Sequence, residues 1–596
     1  MIRRRHEMPF GATVRDGGTL FRLWAPGAAR VDLRLSDPER LVPMTTRADG
    51  WREAFVAGIG DGARYHYVIN GDRAVPDPAS RFQPLDVHGP SEVVDARRFD
   101  WSDESWNGRP WHETVLYELH IGTFTAGGTF AAAIADLDRL AELGITAIEL
   151  MPVADFAGRR NWGYDGVLPF APDASYGRPE DMKRLVAAAH QRGLMVFLDV
   201  VYNHFGPEGN YLGLYAPPFF SDRHTDWGQA INVAAGGASA RDFFIENALY
   251  WLEEFNLDGL RFDAVHAIQD DSETHFLADL ARRVRAATPA GRHRHLVLEN
   301  DDNAAWLLAG RELYDAQWND DFHHALHVIL TGETAGYYRD YAEAPIERLG
   351  RCLVEGFAYQ GEWSEHRGRA RGEASAGLGS LAFVNFLQNH DQIGNRAFGD
   401  RLAKLAPAPA LAAAAAILLL APSPPLLFMG EEWGAETPFL FFCGFEGELG
   451  IAVRDGRRRE FARFPAFADP AMRERIPDPI DVGTFEQSRL DRRPEATRSD
   501  LAAPYRRLLE IRHREIVPRL AGKVSGAGYQ ACGNLLTARW ILADGSALSL
   551  SANLGEAPES VEKAVAGWRE LYRVGEATTD GRLAPWSVVW RLREAP

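Results

Sequence analysis

The strongest constraint on the fold is a repeated alternation of short apolar segments and longer amphipathic segments between residues 115 and 514. The short segments have the length of strands, and the longer ones have helical periodicity, as at 130–143, 179–192, 241–255 and 501–514. Strands that alternate with helices form a parallel sheet, and eight such units close into a barrel. We predict eight strands, at residues 115–119, 147–150, 195–201, 259–262, 296–298, 316–318, 383–387 and 426–428.

Both flanks of this region show a different pattern. Apolar and polar side chains alternate over short runs at 19–24 and 31–35, and again at 535–542 and 548–550. Because the chain has 596 residues, it is long enough for more than one domain. The sequence therefore predicts a multidomain fold with an N-terminal β-sandwich (1–105), a central (β/α)8 barrel (106–519) and a C-terminal β-sandwich (520–596).

The charge balance narrows the range of partners. The formal net charge is −18, which repels phosphate groups, so nucleic acids and anionic membranes are poor candidates and a neutral substrate is favoured. The longest apolar run, residues 410–421, is shorter than the ~18 residues needed to span a bilayer and ends before Pro422. We expect a buried helix there and no membrane segment.

Cysteine usage indicates the compartment. The only cysteines, Cys352, Cys443 and Cys532, lie far apart and lack metal-ligand spacing, which is typical of a reducing environment rather than of a disulfide framework. No apolar stretch that could be the core of a signal peptide follows the basic N-terminus. We therefore expect a cytoplasmic protein.

Polar residues follow several of the predicted strands directly. Because reacting groups in βα barrels come from the carboxyl ends of strands, these residues should meet at one mouth of the barrel. Carboxylates occur there after the fourth, fifth and seventh strands, at Asp263, Glu299 and Asp391. Any one of them alone would more often be a helix cap, but together they predict a catalytic site.

Four segments around these positions resemble the signature segments of the α-amylase superfamily. They are DVVYNH at 199–204, GLRFD at 259–263, LEND at 298–301 and QNHD at 388–391. Further segments make the chain similar to the maltooligosyltrehalose trehalohydrolase family: WNDDFHH at 318–324, LTGE at 330–333, DQIGNR at 391–396 and MGEEW at 429–433. This resemblance implies a maltooligosaccharide substrate capped by trehalose, hydrolysis of the α-1,4 bond next to that cap, and a metabolic partner synthase that makes the cap.

The resemblance also implies catalytic roles. Asp263 would be the nucleophile, Glu299 the acid/base and Asp391 the stabiliser of the transition state. The chemistry needs two carboxylates, because the leaving oxygen is protonated while the developing oxocarbenium is trapped from the other face. We expect the charges of Asp263 and Asp391 to keep Glu299 protonated near neutral pH.

Other residues in the same segments are predicted to bind substrate. Arg261 precedes Asp263 by two positions, so it should lie on the same side of the strand and keep the nucleophile ionised. His204 and His390 can donate hydrogen bonds to sugar hydroxyls. Tyr164 matches the aromatic platform on which the superfamily stacks the reacting sugar.

The chain departs from the amylase pattern after the nucleophile. Many amylases place Lys-His there, whereas this chain has His266 and Ala267, so the pocket for the leaving group must be built differently. Helix capping would explain the polar residues near that side equally well. The substrate-binding candidates are His266, Asp321, Phe322, His323, His324, Gln392 and Asn395.

No metal or other cofactor is expected. Asn203 occupies a position where many amylases bind calcium, but no further oxygen ligands at suitable spacing are recognisable, and the trehalohydrolase family is not known as calcium-dependent.

Two alternatives share parts of this pattern. A glycogen-branching or debranching enzyme would have the same sandwich, barrel and carboxylates, and would differ in acceptor and linkage. A non-catalytic glycan-binding protein on the same barrel should have lost carboxylates, whereas all three are present.

Overall fold

The barrel predicted from the sequence is present. In a computed structural model the chain is described at residues 3–102, 105–225, 227–234, 238–310, 312–491, 494–560, 567–576 and 582–595. Eight parallel strands pair in chain order, and the eighth pairs with the first to close the barrel. Each strand ends within one residue of its prediction: Leu116–Leu119, Ala147–Leu150, Met195–Val200, Gly259–Phe262, His295–Leu298, Ala316–Trp318, Phe383–Phe386 and Pro425–Phe428.

These strands are buried along their whole length, as expected for a parallel sheet that is covered by helices. The covering helices include Pro179–Gln191, Ala238–Glu254, Phe276–Ala287, Asp320–Thr331, Pro345–Glu355 and Ala408–Leu420. Two predicted helices are interrupted. The segment 130–143 consists of Phe130–Ala133 and Leu137–Leu143 around a 3-10 turn, and 501–514 overlaps Glu495–Leu501 and Ala503–Ile511.

The apolar run near residue 410 forms a buried helix, Ala408–Leu420, as predicted. It packs between the barrel and the C-terminal sheet, where the indole of Trp590 donates to the carbonyl of Ala416 at 2.9 Å. Among the helices of the described segments, none has both the length and the apolar character to cross a membrane.

The N-terminal part is a sandwich of two antiparallel sheets. One contains Gly11–Arg15, Gly18–Trp24, Thr45–Thr46 and Trp51–Ala57, and the other contains Val31–Ser36, Glu39–Pro43, Arg64–Ile69, Arg73–Val75 and Ser91–Glu92. Phe21, Leu33 and Tyr67 are fully buried in its core.

The C-terminal strands form one five-stranded antiparallel sheet in the part of the chain that the structure describes. Helices Ala408–Leu420 and Pro345–Glu355 pack on it, so helices of the barrel supply the layer that a sandwich would take from a second sheet. The indole of Trp540 donates to the carbonyl of Leu353 across this contact. The strands are Ser525–Cys532, Leu535–Ile541, Ala547–Asn553, Arg569–Val574 and Ser587–Arg593, and the domain limits at 105 and 519 stay predictions.

Candidate active site

A cavity of about 490 Å³ opens at the carboxyl ends of the barrel strands. Asp263, Glu299 and Asp391 all lie on its wall, as predicted from their positions after three different strands. The structure also brings six of the predicted substrate-binding residues to this cavity: Tyr164, His204, His266, His324, His390 and Gln392.

Arg261 connects the reacting carboxylates beneath the cavity. Its Nη1 donates to Asp263 Oδ1 at 3.0 Å and to Asp199 Oδ2 at 2.6 Å, and its Nη2 lies 2.8 Å from Glu299 Oε2. The side chain is 1% exposed, and its guanidinium lies 4.2 Å from the ring centroid of Trp318. A buried cation therefore offsets the negative charge of the catalytic pair.

Asn203 holds the predicted nucleophile from the other side. Its Nδ2 donates to Asp263 Oδ2 at 2.7 Å and to the Asp263 carbonyl at 2.8 Å. Both carboxylate oxygens of Asp263 are thus bonded, one to Asn203 and one to Arg261. Among the described residues no group of three or more His, Cys, Asp or Glu side chains could hold a metal ion.

Glu299 is held by the backbone that follows the nucleophile. The N–H of Ala264 donates to Glu299 Oε2 at 2.8 Å, and the N–H of Val265 donates to the Glu299 carbonyl at 3.0 Å. Ala264 has φ 41°, in the left-handed region, which is uncommon for a residue with a Cβ. The strained turn aims its N–H at Glu299 and so fixes the acid relative to the nucleophile.

The pKa values of the two reacting carboxyls are shifted in opposite directions. Burial and the charge of Glu299 raise the pKa of Asp263 well above its usual value. Burial also acts to raise the pKa of Glu299, but Arg261 and the Ala264 N–H outweigh it and lower that pKa. Two carboxyls that share one cation titrate as a pair, and the protonation of Glu299 stays a prediction. The contact between Arg261 and Glu299 was not foreseen from the sequence.

Asp391 lies at the start of a short helix, His390–Gly394. Asn389 caps this helix by accepting from the Asp391 N–H at 2.9 Å, and Asn395 Nδ2 donates to Asp391 Oδ1 at 2.6 Å. Burial raises the pKa of Asp391. Asn395 is exposed and touches the carboxylate, so it lies behind the predicted stabiliser rather than on the cavity wall.

His390 is tied to the first barrel strand. Its Nδ1 lies 2.5 Å from Glu118 Oε1, and its backbone N–H donates to Glu118 Oε2 at 3.1 Å. Burial alone would lower the pKa of His390, but Glu118 raises it above the usual value. Sequence analysis missed Glu118, although this glutamate in the middle of an apolar strand was a recognisable signal.

Aromatic rings line two sides of the cavity. Tyr164 stacks on His390 with centroids 5.1 Å apart, and its hydroxyl donates to Asp199 Oδ2 at 2.6 Å. His204 stacks on Trp227 at 5.3 Å, and burial lowers the pKa of His204 to about 4. Trp227, which sequence analysis missed, lies at the tip of a hairpin formed by Phe220–Thr225 and Gly228–Ile231 and is 49% exposed.

Helix Asp320–Thr331 presents one face to the cavity. Asp320 and His324, one turn apart, lie on the cavity wall, whereas Asp321, Phe322 and His323 are at most 1% exposed and lie behind it. Asp321 Oδ2 accepts from the backbone N–H groups of Ala358 and Tyr359, and His323 Nδ1 lies 2.6 Å from the Leu387 carbonyl. The structure therefore gives these three positions packing and anchoring contacts rather than access to a ligand.

Several cavity residues were not predicted. Asp320 was missed although it adjoins a predicted residue, and burial together with the charges of Glu299 and Asp391 raises its pKa to about 8. His366, Arg367 and Arg371 come from the segment that carries the hairpin of Trp363–Ser364 and Arg369–Ala370. No strand or helix pattern marks that loop in the sequence. His266, on the same side, accepts from the Asp301 N–H at 3.3 Å.

Family models match the chain in three places. Carbohydrate-binding module 48 (isoamylase N-terminal domain) matches residues 9–82, the α-amylase catalytic domain matches residues 93–216, and a domain of unknown function, DUF3459, matches residues 528–590. The first match covers strands of the N-terminal sandwich, the second the start of the barrel, and the third most of the C-terminal sheet.

Known relatives align over most of the chain. The malto-oligosyltrehalose trehalohydrolase of Deinococcus radiodurans is 44% identical over 514 residues, covering 85% of this chain and 83% of the relative. That of Saccharolobus solfataricus is 41% identical, covering 85% and 87%. A solved structure of a candidate α-amylase from Salmonella typhimurium is 44% identical, with a TM-score of 0.92, and covers 98% of this chain and 99% of its own. The chain belongs to the malto-oligosyltrehalose trehalohydrolase family of the α-amylase superfamily.

Proposed function

We propose that the chain is a retaining glycoside hydrolase that cleaves the α-1,4-glucosidic bond next to the terminal trehalose of a maltooligosyltrehalose. The products are trehalose and a maltooligosaccharide. The observation that carries this proposal is the meeting of Asp263, Glu299 and Asp391 on one cavity with Arg261 bonded to the first two. The names of the aligned relatives support the choice of substrate.

In the first step Asp263 attacks the anomeric carbon. The bond between that carbon and the leaving oxygen breaks, and Glu299 gives its proton to the oxygen, so trehalose leaves as an alcohol. A covalent glucosyl ester on Asp263 remains. In the second step Glu299 takes a proton from water and the water oxygen attacks the anomeric carbon. The bond between that carbon and Asp263 breaks, Asp263 leaves as a carboxylate, and the sugar is released with its anomeric configuration retained.

The reactive form of the pair has Asp263 ionised and Glu299 protonated. Any proton that Asp263 carries in the free site must pass to Glu299 before the first step. Asn203 and Arg261 donate to the two oxygens of Asp263, and both contacts favour its ionised form. A glycosidic oxygen placed beside Glu299 accepts a hydrogen bond only from the protonated acid, so substrate binding favours this transfer.

We assign the side chains of the cavity wall to two groups. Tyr164, His390 and His204 are assigned to the reacting sugar, and Asp391 can bind hydroxyls of that ring. His266, Asp320, His324 and Gln392 are polar groups that we assign to the trehalose side. With a pKa raised to about 8, Asp320 is largely protonated at neutral pH and can donate to a sugar hydroxyl.

Incubation with maltotriosyltrehalose and chromatography of the products tests the proposal. We expect free trehalose and maltotriose in equal amounts. New α-1,6 branches on an α-glucan acceptor would instead support a branching enzyme, and cleavage of α-1,6 bonds would support a debranching enzyme. No glycosidase activity in well-folded protein would support the non-catalytic alternative.

The proposed substrate also places the enzyme after a synthase that converts the reducing end of a maltooligosaccharide into trehalose. We infer a cytoplasmic location, which agrees with the three free cysteines. The chain needs no metal or cofactor for the proposed steps, since each proton is carried by a carboxyl group.

A further inference from the structure

One buried glutamate of the barrel strands takes no part in the steps proposed above. Glu149 is in the second barrel strand and is 1% exposed. Neither of its carboxyl oxygens has a hydrogen-bond partner within the described part of the chain. An ionised carboxylate without partners is among the most costly groups to bury, so this side chain requires either a proton or a donor.

The strand register places Glu149 among other charged groups. It pairs with Glu118 of the first strand and with Phe197 of the third, and Asp199 follows Phe197 by two residues on the same side of that strand. Side chains in strands lean along the strand direction, so a glutamate can reach the next layer toward the carboxyl ends. Glu149 is therefore close to both Glu118 and Asp199.

The two neighbours differ in what their oxygens already bind. Both oxygens of Glu118 are bonded to His390. Asp199 Oδ2 accepts from Arg261 and from Tyr164, each at 2.6 Å, whereas Asp199 Oδ1 is buried and has no partner in the described chain. A hydrogen bond from a protonated Glu149 to Asp199 Oδ1 would give that oxygen a donor and would leave Glu149 uncharged.

We propose that Glu149 is a positioning residue, protonated in the working enzyme, which donates a hydrogen bond to Asp199 Oδ1 and so keeps Asp199 Oδ2 bonded to Arg261 and Tyr164. This proposal rests on the proposed function, since its effect reaches the reacting atoms through Arg261. Arg261 contacts Asp263 and Glu299 as well as Asp199. A shift of Asp199 would therefore move the guanidinium group that lies between the nucleophile and the acid.

Burial and the neighbouring charges favour the protonated, uncharged form of Glu149. Burial raises its pKa well above the usual value, and the charges of Glu118 and Asp199 raise it further, while Arg261 acts in the opposite direction. His390, in the helix that follows the seventh strand, is also nearby, but its Nδ1 is bonded to Glu118. A protonated carboxyl is a donor, and at this position it adds no third negative charge.

Two substitutions test whether Glu149 acts as an uncharged hydrogen-bond donor. In Glu149→Gln the carboxamide keeps a donor at nearly the same volume, so kcat should stay within about threefold of wild type. In Glu149→Met the donor is lost, and kcat should fall about tenfold, which corresponds to ~1.4 kcal/mol, with a smaller change in KM. The acid limb of the kcat profile should move to higher pH in Glu149→Met alone, because Asp199 then binds a proton more readily.

Asp155 provides a matched control. It is also buried, with both oxygens unpartnered in the described chain, but it lies away from the cavity wall beside Asp173. Asp155→Asn and Asp155→Leu should change stability and leave the pH profile of kcat in place. A Glu149→Gln variant as impaired as Glu149→Met would overturn the proposal, as would a Glu149→Met variant with the kcat and pH profile of wild type.

A measurement without substrate separates this proposal from the proposed function. At neutral pH the infrared spectrum should contain a carbonyl band of a protonated carboxylic acid that disappears in Glu149→Gln. Absence of that change means that Glu149 is ionised, and overturns the proposal. Kinetics should be measured on both maltotriosyltrehalose and α-glucosyl fluoride. If wild type cleaves only the fluoride, the substrate assignment fails, while Glu149 is still tested.

Discussion

One guanidinium group governs the charge of the candidate site. Arg261 contacts Asp199, Asp263 and Glu299, and it is almost completely buried. Two carboxylates that share a cation and a cavity cannot both be ionised without cost, so they exchange one proton between them. In the proposed double displacement Asp263 forms and releases the glucosyl ester, while Glu299 acts first as an acid toward the leaving oxygen and then as a base toward water.

The role of Asp263 predicts the result of removing its charge. Asp263→Asn keeps the volume of the side chain and the contact with Asn203, so the protein should fold and bind oligosaccharide. We expect kcat to fall by more than about 10³-fold, because a carboxamide does not form the glucosyl ester. Steady-state kinetics and calorimetric binding check this, with the exposed Asp271→Asn as a matched control. Hydrolysis near the wild-type rate would reject Asp263 as nucleophile.

The role of Glu299 predicts a dependence on the leaving group. Glu299→Gln should lower kcat for maltotriosyltrehalose about 10²–10⁴-fold, because the leaving oxygen then departs unprotonated. Formation of the glucosyl ester from α-glucosyl fluoride should be impaired far less, since fluoride leaves without a proton. Pre-steady-state kinetics on the two substrates measure this difference. An equal loss on both would show that Glu299 is not the acid.

Helix Asp320–Thr331 shows which parts of the site a sequence pattern can identify. The WNDDFHH segment was recognised correctly, but only Asp320 and His324 reach the cavity, since residues that differ by four positions share a helix face. Asp321 and His323 point into the protein, where Arg371, Tyr359 and Leu387 bond them. Which of these side chains face the cavity was not predictable from the sequence, because all four residues are polar.

The barrel strands were predictable because each is a short, mostly apolar run, and several are followed directly by a polar residue, as at Leu298–Glu299 and Phe262–Asp263. The loop residues on the cavity wall were not predictable from the sequence. Trp227 and Arg371 reach the cavity through hairpins whose direction depends on tertiary contacts. The pKa values of Asp263 and Glu299 also depend on distances around Arg261 rather than on spacing in the chain.

The buried helix Ala408–Leu420 depends on a cation at its end. Arg512, fully buried, donates to the carbonyls of Leu419, Ala421, Pro422 and Ser423. Arg512→Met should lower the free energy of unfolding by about 3 kcal/mol or more, because each buried carbonyl left unpaired costs about 1–3 kcal/mol. Urea denaturation measures this, with the exposed Arg507→Met as control. Equal stability of the two variants would contradict this role.

The N-terminus is attached to the barrel by a charged contact. His6 lies 2.7 Å from carboxylate oxygens of both Glu246 and Glu253 on helix Ala238–Glu254. Burial alone would lower the pKa of His6, but these two glutamates outweigh it and raise the pKa to about 9. Because the folded pKa lies above the usual 6.5, this contact contributes fully below pH 6.5 and is lost as pH rises through about 9.

His6→Gln tests this dependence. The rise of the pKa from 6.5 to about 9 corresponds to about 3 kcal/mol, since one pKa unit is about 1.36 kcal/mol. The variant should therefore be less stable than wild type by about that amount near pH 6 and nearly as stable near pH 10. Urea denaturation at both pH values measures the difference, and His88→Gln, an exposed histidine bonded to Tyr211, serves as control. A loss of stability that is equal at both pH values would contradict the charged contact.

Recognition of trehalose on the leaving-group side distinguishes the proposed reaction from that of a general amylase. Polar side chains that bind trehalose hydroxyls are left without hydrogen-bond partners when another disaccharide occupies the leaving-group side. Each buried polar group left unpaired costs about 1–3 kcal/mol of binding free energy. The deciding measurement is the ratio of kcat/KM for maltotriosyltrehalose to that for maltopentaose, first in wild type and then in Asp320→Ala and His324→Ala. We predict a ratio above about ten in wild type, since ~1.4 kcal/mol is a factor of ten, and a smaller ratio in the variants. A wild-type ratio near one would contradict the account and indicate a general amylase.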